Sequence, residues 1–209
     1  MKEVSLIEHN LGQYNNKDLN YWRAHNLRHQ DESVFNNKEI RLRELLDNNP
    51  SVRNIVVDIG AGVGWLSAKL SDMFAHVVAI EPSEDALTIA KELYKDKPNI
   101  SWIYGFVEDV LPTLPINRAD PVLFVTCSVF QHLDDVHVES VLNWMNLNAP
   151  VGSILSFQEL WGVAEERKMH HVRPQQWWSH LLSNWGLNFH GPLVLENTCK
   201  GIHGKKVMG

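Results

Sequence analysis

Apolar and polar positions along the chain change their period repeatedly, and each change marks an element. Ile55, Val56, Val57 and Ile59 form a short apolar run broken only by Asp58, the pattern of a strand buried on both faces. Leu66, Leu70, Met73 and Phe74 then recur at helical spacing. A second strand spans His76 to Ile80, and Ser83 is placed to cap a helix carrying Leu87, Ala90 and Tyr94, with Glu84 and Asp85 in its first turn. Ile100 to Tyr104 reads as a third strand and Pro121 to Thr126 as a fourth, near-continuously apolar as a central parallel strand is. Val138, Val141, Leu142 and Met145 set a helix running to about Leu147, capped by Asp134 or Asp135. Ser153 to Phe157 is the fifth strand. Pro174 opens a last helix with Trp178, Leu181, Leu182 and Trp185 on one face, stopping at Gly186. Leu193 to Leu195 and Lys206 to Met208 suggest a short closing antiparallel hairpin.

Strands alternating with helices predict an α/β fold on a mostly parallel sheet. Ahead of it, a helix from about Asn37 to Asp47 presents Leu42, Leu45 and Leu46 and is ended by Asn48-Asn49-Pro50. Residues 1–34 are polar, rich in Asn and His and without a clean period; Tyr14, Tyr21 and Trp22 are their apolar anchors. The chain therefore divides into an N-terminal helical extension, 1–49, and an α/β domain, 50–209.

Between the first strand and its helix lie Gly60, Ala61, Gly62 and Gly64. A strand, a backbone-open turn and a helix N-terminus make a cradle with outward N–H groups. A dinucleotide-binding fingerprint starting at Gly60 and Gly62 needs its third glycine at position 65, where Trp65 stands instead. Asp58, two residues ahead of the turn, would repel a pyrophosphate but suits a ligand bearing an ammonium group. The D-x-G-x-G-x-G spacing from Asp58 to Gly64 resembles the first motif of the class I S-adenosylmethionine (SAM)-dependent methyltransferases.

That resemblance covers roughly residues 50 to 209. It implies a Rossmann-like, seven-stranded, mostly parallel sheet with helices on both faces and an antiparallel last strand. It implies SAM as cofactor, S-adenosylhomocysteine as product, and contacts from the turn at Asp58, Gly60, Ala61, Gly62, Gly64 and Trp65. Glu81, followed by Pro82 at the end of the second strand, has the spacing and chemistry to accept from ribose hydroxyls. In the resembled family the next junction grips the adenine. Here Phe106 stands where an Asp is often found, so Phe106 is expected to stack on the base while the Val107 N–H and either Glu108 or Asp109 read its edge. The stretch Ser128-Val129-Phe130-Gln131-His132-Leu133-Asp134-Asp135 looks like the family's segment after strand four, which implies Cys127 and Ser128 at the cofactor and His132 close to the transferred methyl group. Val151 replaces one glycine of the usual Pro-Gly-Gly turn. A Tyr-Trp pair such as Tyr21-Trp22 often belongs to a lid over the cofactor, against the simpler possibility of an appended docking helix.

Composition narrows the partners. The formal charge is −6 and no Lys/Arg block occurs, which argues against nucleic acid as substrate. No apolar run of about 18 residues and no signal-peptide pattern is present, so no membrane is expected. The two cysteines, Cys127 and Cys199, form no C-x-x-C pair, and a cytoplasmic location is expected. The partner is then a small-molecule substrate, bound by a monomer or a homodimer.

Methyl transfer to a hydroxyl calls for a general base, most often histidine, whereas transfer to a neutral amine needs mainly positioning. His132 is the first candidate base. His170 and His171 are the second, in a loop with Glu165, Glu166, Arg167, Lys168 and Arg173 that would suit an anionic substrate if its cations outweigh its acids. No metal-ligand spacing is found among the histidines. O-methylation of a small polar molecule is the leading expectation; N-methylation, a nicotinamide-dependent oxidoreductase and a non-enzymatic SAM-binding module are the alternatives. Nothing readable in the sequence names the acceptor.

Overall fold

The computed structural model describes residues 17–29, 40, 42–117, 119–160, 171–192 and 199–207. Seven strands, β1 (Ile55–Ile59), β2 (His76–Glu81), β3 (Ile100–Tyr104), β4 (Val122–Cys127), β5 (Ile154–Leu160), β6 (Trp185–Pro192) and β7 (Cys199–Lys206), form one sheet in the order β3-β2-β1-β4-β5-β7-β6. β1 to β5 pair in parallel, while β7 runs antiparallel to both β5 and β6. This is the Rossmann-like sheet with an antiparallel last strand that the resemblance implies.

The helices are α1 (Leu19–His29), α2 (residues 42–47), α3 (Trp65–Leu70), α4 (Glu84–Leu93), α5 (Val107–Val110), α6 (Asp135–Asn148) and α7 (Gln175–Leu181). Strand residues alternate between two cores because successive side chains leave a strand on opposite faces. Val57, Ile59, Phe124 and Phe157 pack with Val138, Leu142 and Met145 of α6 and with Trp178 of α7. On the other face Val56, Val77, Leu123 and Ile154 meet Leu42 and Leu46 of α2 and Leu66 and Leu70 of α3. Trp22 of α1 makes a third cluster with Val63, Ala86 and Ile89.

Boundaries differ from the sequence reading in two places. α3 ends at Leu70, so Met73 and Phe74 pack on the core from the turn beyond it. α7 ends at Leu181, and Trp185 opens β6 rather than closing a helix. Trp185 is nonetheless buried with Trp178 and Leu182, which explains the helical spacing, and its Nε1–H donates to Asn146 at 2.9 Å. The closing hairpin accordingly pairs residues 185–192 with 199–206; Leu193 to Leu195, Met208 and the start of the helix expected from Asn37 lie outside the described residues.

Candidate active site

Parallel strands deliver their C-terminal ends to one edge of the sheet, and the order reverses between β1 and β4, so a crevice opens there. Four junctions meet at it: Gly60 after β1, Glu81 closing β2, Gly105 after β3 and Cys127 closing β4. They line a cleft of about 290 Å³. Its other walls are Pro82, Phe106, Val107 and Glu108 on one side, Ser128, Val129, His132 and Leu133 on another, and Lys17, Tyr21 and Trp22 from the N-terminal segment.

The turn needs its glycines for different reasons. Gly60, Gly62 and Gly64 all have positive φ, between 55° and 80°, which side-chain-bearing residues avoid. A Cβ on Gly64 would lie 2.4 Å from the Trp102 ring, and one on Gly60 2.4 Å from Val129. At Gly62 only the Trp22 ring comes near, at 3.9 Å, so this glycine keeps the cleft itself open. Asp58 and Trp65, which drew attention in the sequence, do not line the cleft. Asp58 is buried and its Oδ2 accepts from Ser67 Oγ at 2.6 Å; Trp65 opens α3 and packs against the second core, with Lys69 over its ring. Ala61 packs there too.

Glu81 is almost wholly buried. Its two oxygens accept from the Gly62 and Ser83 backbone N–H groups, each at 2.9 Å, which ties β2 to the glycine turn. Burial raises its pKa to about 7, against the lowering effect of those two N–H groups and of Lys17. Each carboxylate oxygen carries two acceptor sites, so each can accept from one further donor.

Glu108 sits in the first turn of α5, and the two acids differ in exposure. Asp109 is exposed, whereas Glu108 lines the cleft. Glu108 Oε1 lies 3.0 Å from His137 Nδ1 of α6, and its Oε2 is buried without a hydrogen-bond partner among the described residues. A buried acceptor without a donor costs free energy. The open glycine turn and the remaining acceptor capacity of Glu81 at the cleft fit an adenosine-bearing ligand.

The segment after β4 is braced from two sides. Ser128, a non-glycine residue, holds φ at 59°. Glu159 at the end of β5 is fully buried and accepts from Thr126 Oγ1 at 2.6 Å and from the Val129 and Gln131 N–H groups at 3.2 Å. Burial raises its pKa above the ordinary carboxyl range. Arg173, arriving from beyond β5, donates to the Phe130 and Leu133 carbonyls at 2.6 Å and to Asp135 at 2.8 Å, with its guanidinium 4.8 Å from the Trp177 ring. Acceptor and donor thus grip one loop, which presents His132 to the cleft. Arg173 is thereby committed to the loop rather than to a cationic entrance. His171 is exposed and outside the cleft lining, its N–H donating to the Gln131 carbonyl at 2.7 Å. His170 and the charged residues Glu165 to Lys168 lie outside the described residues. Sequence reading missed Glu159, His137 and the task of Arg173: each is a lone polar residue whose partners lie on other elements. Among the described residues no group of three His, Cys, Asp or Glu side chains could hold a metal ion, and no helix is long and apolar enough to cross a membrane.

Comparison with known proteins agrees with this geometry. Residues 56–147 match the family model described as a methyltransferase domain. No curated protein sequence matches the chain significantly. Among solved structures, the DhpI–SAM–HEP complex superposes with a TM-score of 0.70 at 15% identity, over 98% of this chain and 100% of that one. The N-methyltransferase NodS of Bradyrhizobium japonicum, in complex with S-adenosylhomocysteine, gives 0.68 at 17% identity, over 86% and 90%. An rRNA methylase of Streptococcus thermophilus gives 0.56 at 17%, over 75% and 88%. Residues 56–147 thus match a methyltransferase domain, and the chain shares the fold of these solved structures.

Proposed function

We propose that the protein methylates a hydroxyl oxygen of a small polar molecule, with His132 as general base. The observation that carries this reading is the position of His132: it lines the same cleft as Gly60, Gly62 and Glu81, on a loop gripped by Glu159 and Arg173. Bound SAM supplies a methyl group on a cationic sulfur, already activated for in-line displacement. Gly60 and Gly62 give the donor's methionine part an open backbone, Glu81 takes the ribose hydroxyls, and Phe106, Val107 and Glu108 take the base. Pro82, Cys127 and Ser128 complete the donor's walls. His132 removes the acceptor proton, while Val129 and Leu133 keep water from the reacting atoms.

α1 serves as a lid, its Tyr21 and Trp22 closing one wall over Gly62. The net charge of −6 and the size of the cleft favour a small molecule over nucleic acid, and a cytoplasmic location fits the sparse cysteines. His170 and His171 remain the second candidates for the base, His171 standing outside the cleft lining.

The test is to incubate the protein with methyl-labelled SAM and fractionated small metabolites, identify the labelled product, and repeat with His132→Ala. Turnover should fall about a hundredfold or more while S-adenosylhomocysteine affinity stays within a few-fold. Unchanged turnover would refute His132 as the base and point to transfer to nitrogen, where positioning suffices, or to another base. Failure to bind either SAM or S-adenosylhomocysteine would refute the cofactor assignment.

A further inference from the structure

The geometry points to Glu159 and Arg173 as positioning residues for methyl transfer: they act as one charge pair through the Phe130–Gln131 peptide and so fix His132, the next residue, at the cleft. The inference rests on His132 as the base and extends that reading to two residues outside the cleft lining.

A peptide group is a dipole, with a donor at one end and an acceptor at the other. The group joining Phe130 to Gln131 is held at both ends by buried charge. Its carbonyl accepts from Arg173 Nη1 at 2.6 Å, and its N–H donates to Glu159 Oε2 at 3.2 Å. Both side chains spend their other contacts on the surrounding turn. Glu159 Oε1 accepts from the Val129 N–H and from Thr126 Oγ1, while Arg173 Nη2 donates to the Leu133 carbonyl and Nε to Asp135. His132 is thus bracketed on both sides by backbone that the pair holds. Flipping the Phe130–Gln131 peptide would turn its carbonyl onto a carboxylate and its N–H onto a guanidinium, leaving each buried charge against a like pole. Both Glu159 oxygens take backbone N–H donors, which suits the ionised acid. Burial opposes the two charges, raising the pKa of Glu159 and lowering that of Arg173. The direct salt bridge of Arg173 is to the exposed Asp135, so Glu159 and Arg173 meet through the peptide alone. Two buried charges, and a non-glycine residue at positive φ in Ser128, are costly features. A turn that only joined β4 to α6 would need none of them; one that must hold His132 to a fixed place has a use for all three.

Methyl transfer from labelled SAM to the acceptor fraction, together with imidazole nitrogen NMR of the ligand-free protein, tests this. Arg173→Met keeps the length of the side chain and removes its charge and fork. Its kcat should fall about tenfold to a hundredfold, with KM for SAM and Kd for S-adenosylhomocysteine within a few-fold of wild type. Arg173→Lys restores the charge and should recover several-fold of that loss, whereas a side chain that only filled space would leave methionine and lysine alike. Glu159→Gln should slow turnover by a similar factor. The double variant Glu159→Gln/Arg173→Met should be about as slow as the slower single variant, because residues acting as a unit do not add. The His132 signals, identified by their loss in His132→Ala, should form one sharp set in wild type and be broadened or doubled in Arg173→Met. Equal turnover in Arg173→Met and Arg173→Lys would overturn the inference, and so would losses that multiply in the double variant. Should one variant fail to fold, the remaining single variants decide: full turnover with unaltered His132 signals in them would overturn it. Failure of the underlying reading looks different. Full turnover in His132→Ala removes the base, whereas unaltered His132 signals in a folded Arg173→Met overturn the charge pair even where His132→Ala is inactive.

Discussion

Raising the pH from 6 to 8 should tighten S-adenosylhomocysteine binding about tenfold, and the reason is the burial of Glu81. In the ligand-free cleft its carboxyl has a pKa of about 7, pushed up chiefly by desolvation. In the proposed complex ribose hydroxyls donate to the ionised form, so the ligand selects it. If only that form binds, the apparent Kd scales with the reciprocal of the ionised fraction, about one in eleven at pH 6 and ten in eleven at pH 8. The ratio is about ten, or about 1.4 kcal/mol. Binding should also release protons, about 0.9 per ligand at pH 6 and half at pH 7, read as a dependence of calorimetric heat on the buffer's ionisation enthalpy. Glu81→Gln should abolish both effects and weaken binding about tenfold to a hundredfold, because one amide oxygen cannot serve two backbone donors and a diol. Stability follows the same linkage. The folded pKa lies above the ordinary value of 4.5, so the stabilisation from the protonated group is complete below that value and is lost as pH rises through 7. The ligand-free wild type should therefore lose more melting temperature than Glu81→Gln between pH 5 and 8. An affinity flat from pH 6 to 8, with no proton released, would refute the reasoning.

Gly64→Ala should lower the melting temperature more than Gly62→Ala, since the first Cβ meets the Trp102 ring at 2.4 Å and the second meets only Trp22 at 3.9 Å; equal losses would show that positive φ, rather than contact, sets the cost. Phe130→Ala should cost about 3–5 kcal/mol in denaturant unfolding, because the ring is fully buried against Phe157 and Trp178. Trp22→Ala should weaken S-adenosylhomocysteine binding several-fold and speed proteolysis within α1, and saturating ligand should slow that cleavage in wild type; protection unaffected by ligand would count against the lid.

Much of the fold could be read because its strands are buried on both faces. Pro121 to Thr126 is apolar almost throughout, and a run of that length between turn residues has few other uses. The glycine turn and Glu81 were legible for the same reason, their chemistry being local to a short stretch. Trp185 misled because burial against Trp178 and Leu182 gives helical spacing whether the chain arrives as helix or strand. Glu108 and Asp109 could not be separated, since a single residue's rotation about α5 decides which one faces the cleft. Glu159 and His137 were invisible for another reason. Each takes its role from partners 28 or more residues away, Gln131 for one and Glu108 for the other, and no local pattern records such a meeting.

The place of β7 bears on how the protein is made. Residues 199–206 slot between β5 and β6, so β6, earlier in the chain, pairs with the sheet through a strand that comes after it. On a ribosome the first five strands can pair as they emerge, while residues 185–192 must wait for their bridge. Until then β5 presents an unpaired edge. Assembly is thus completed by an insertion rather than by an addition, and a nascent chain halted before residue 199 holds a five-stranded sheet open to strand addition by any other chain.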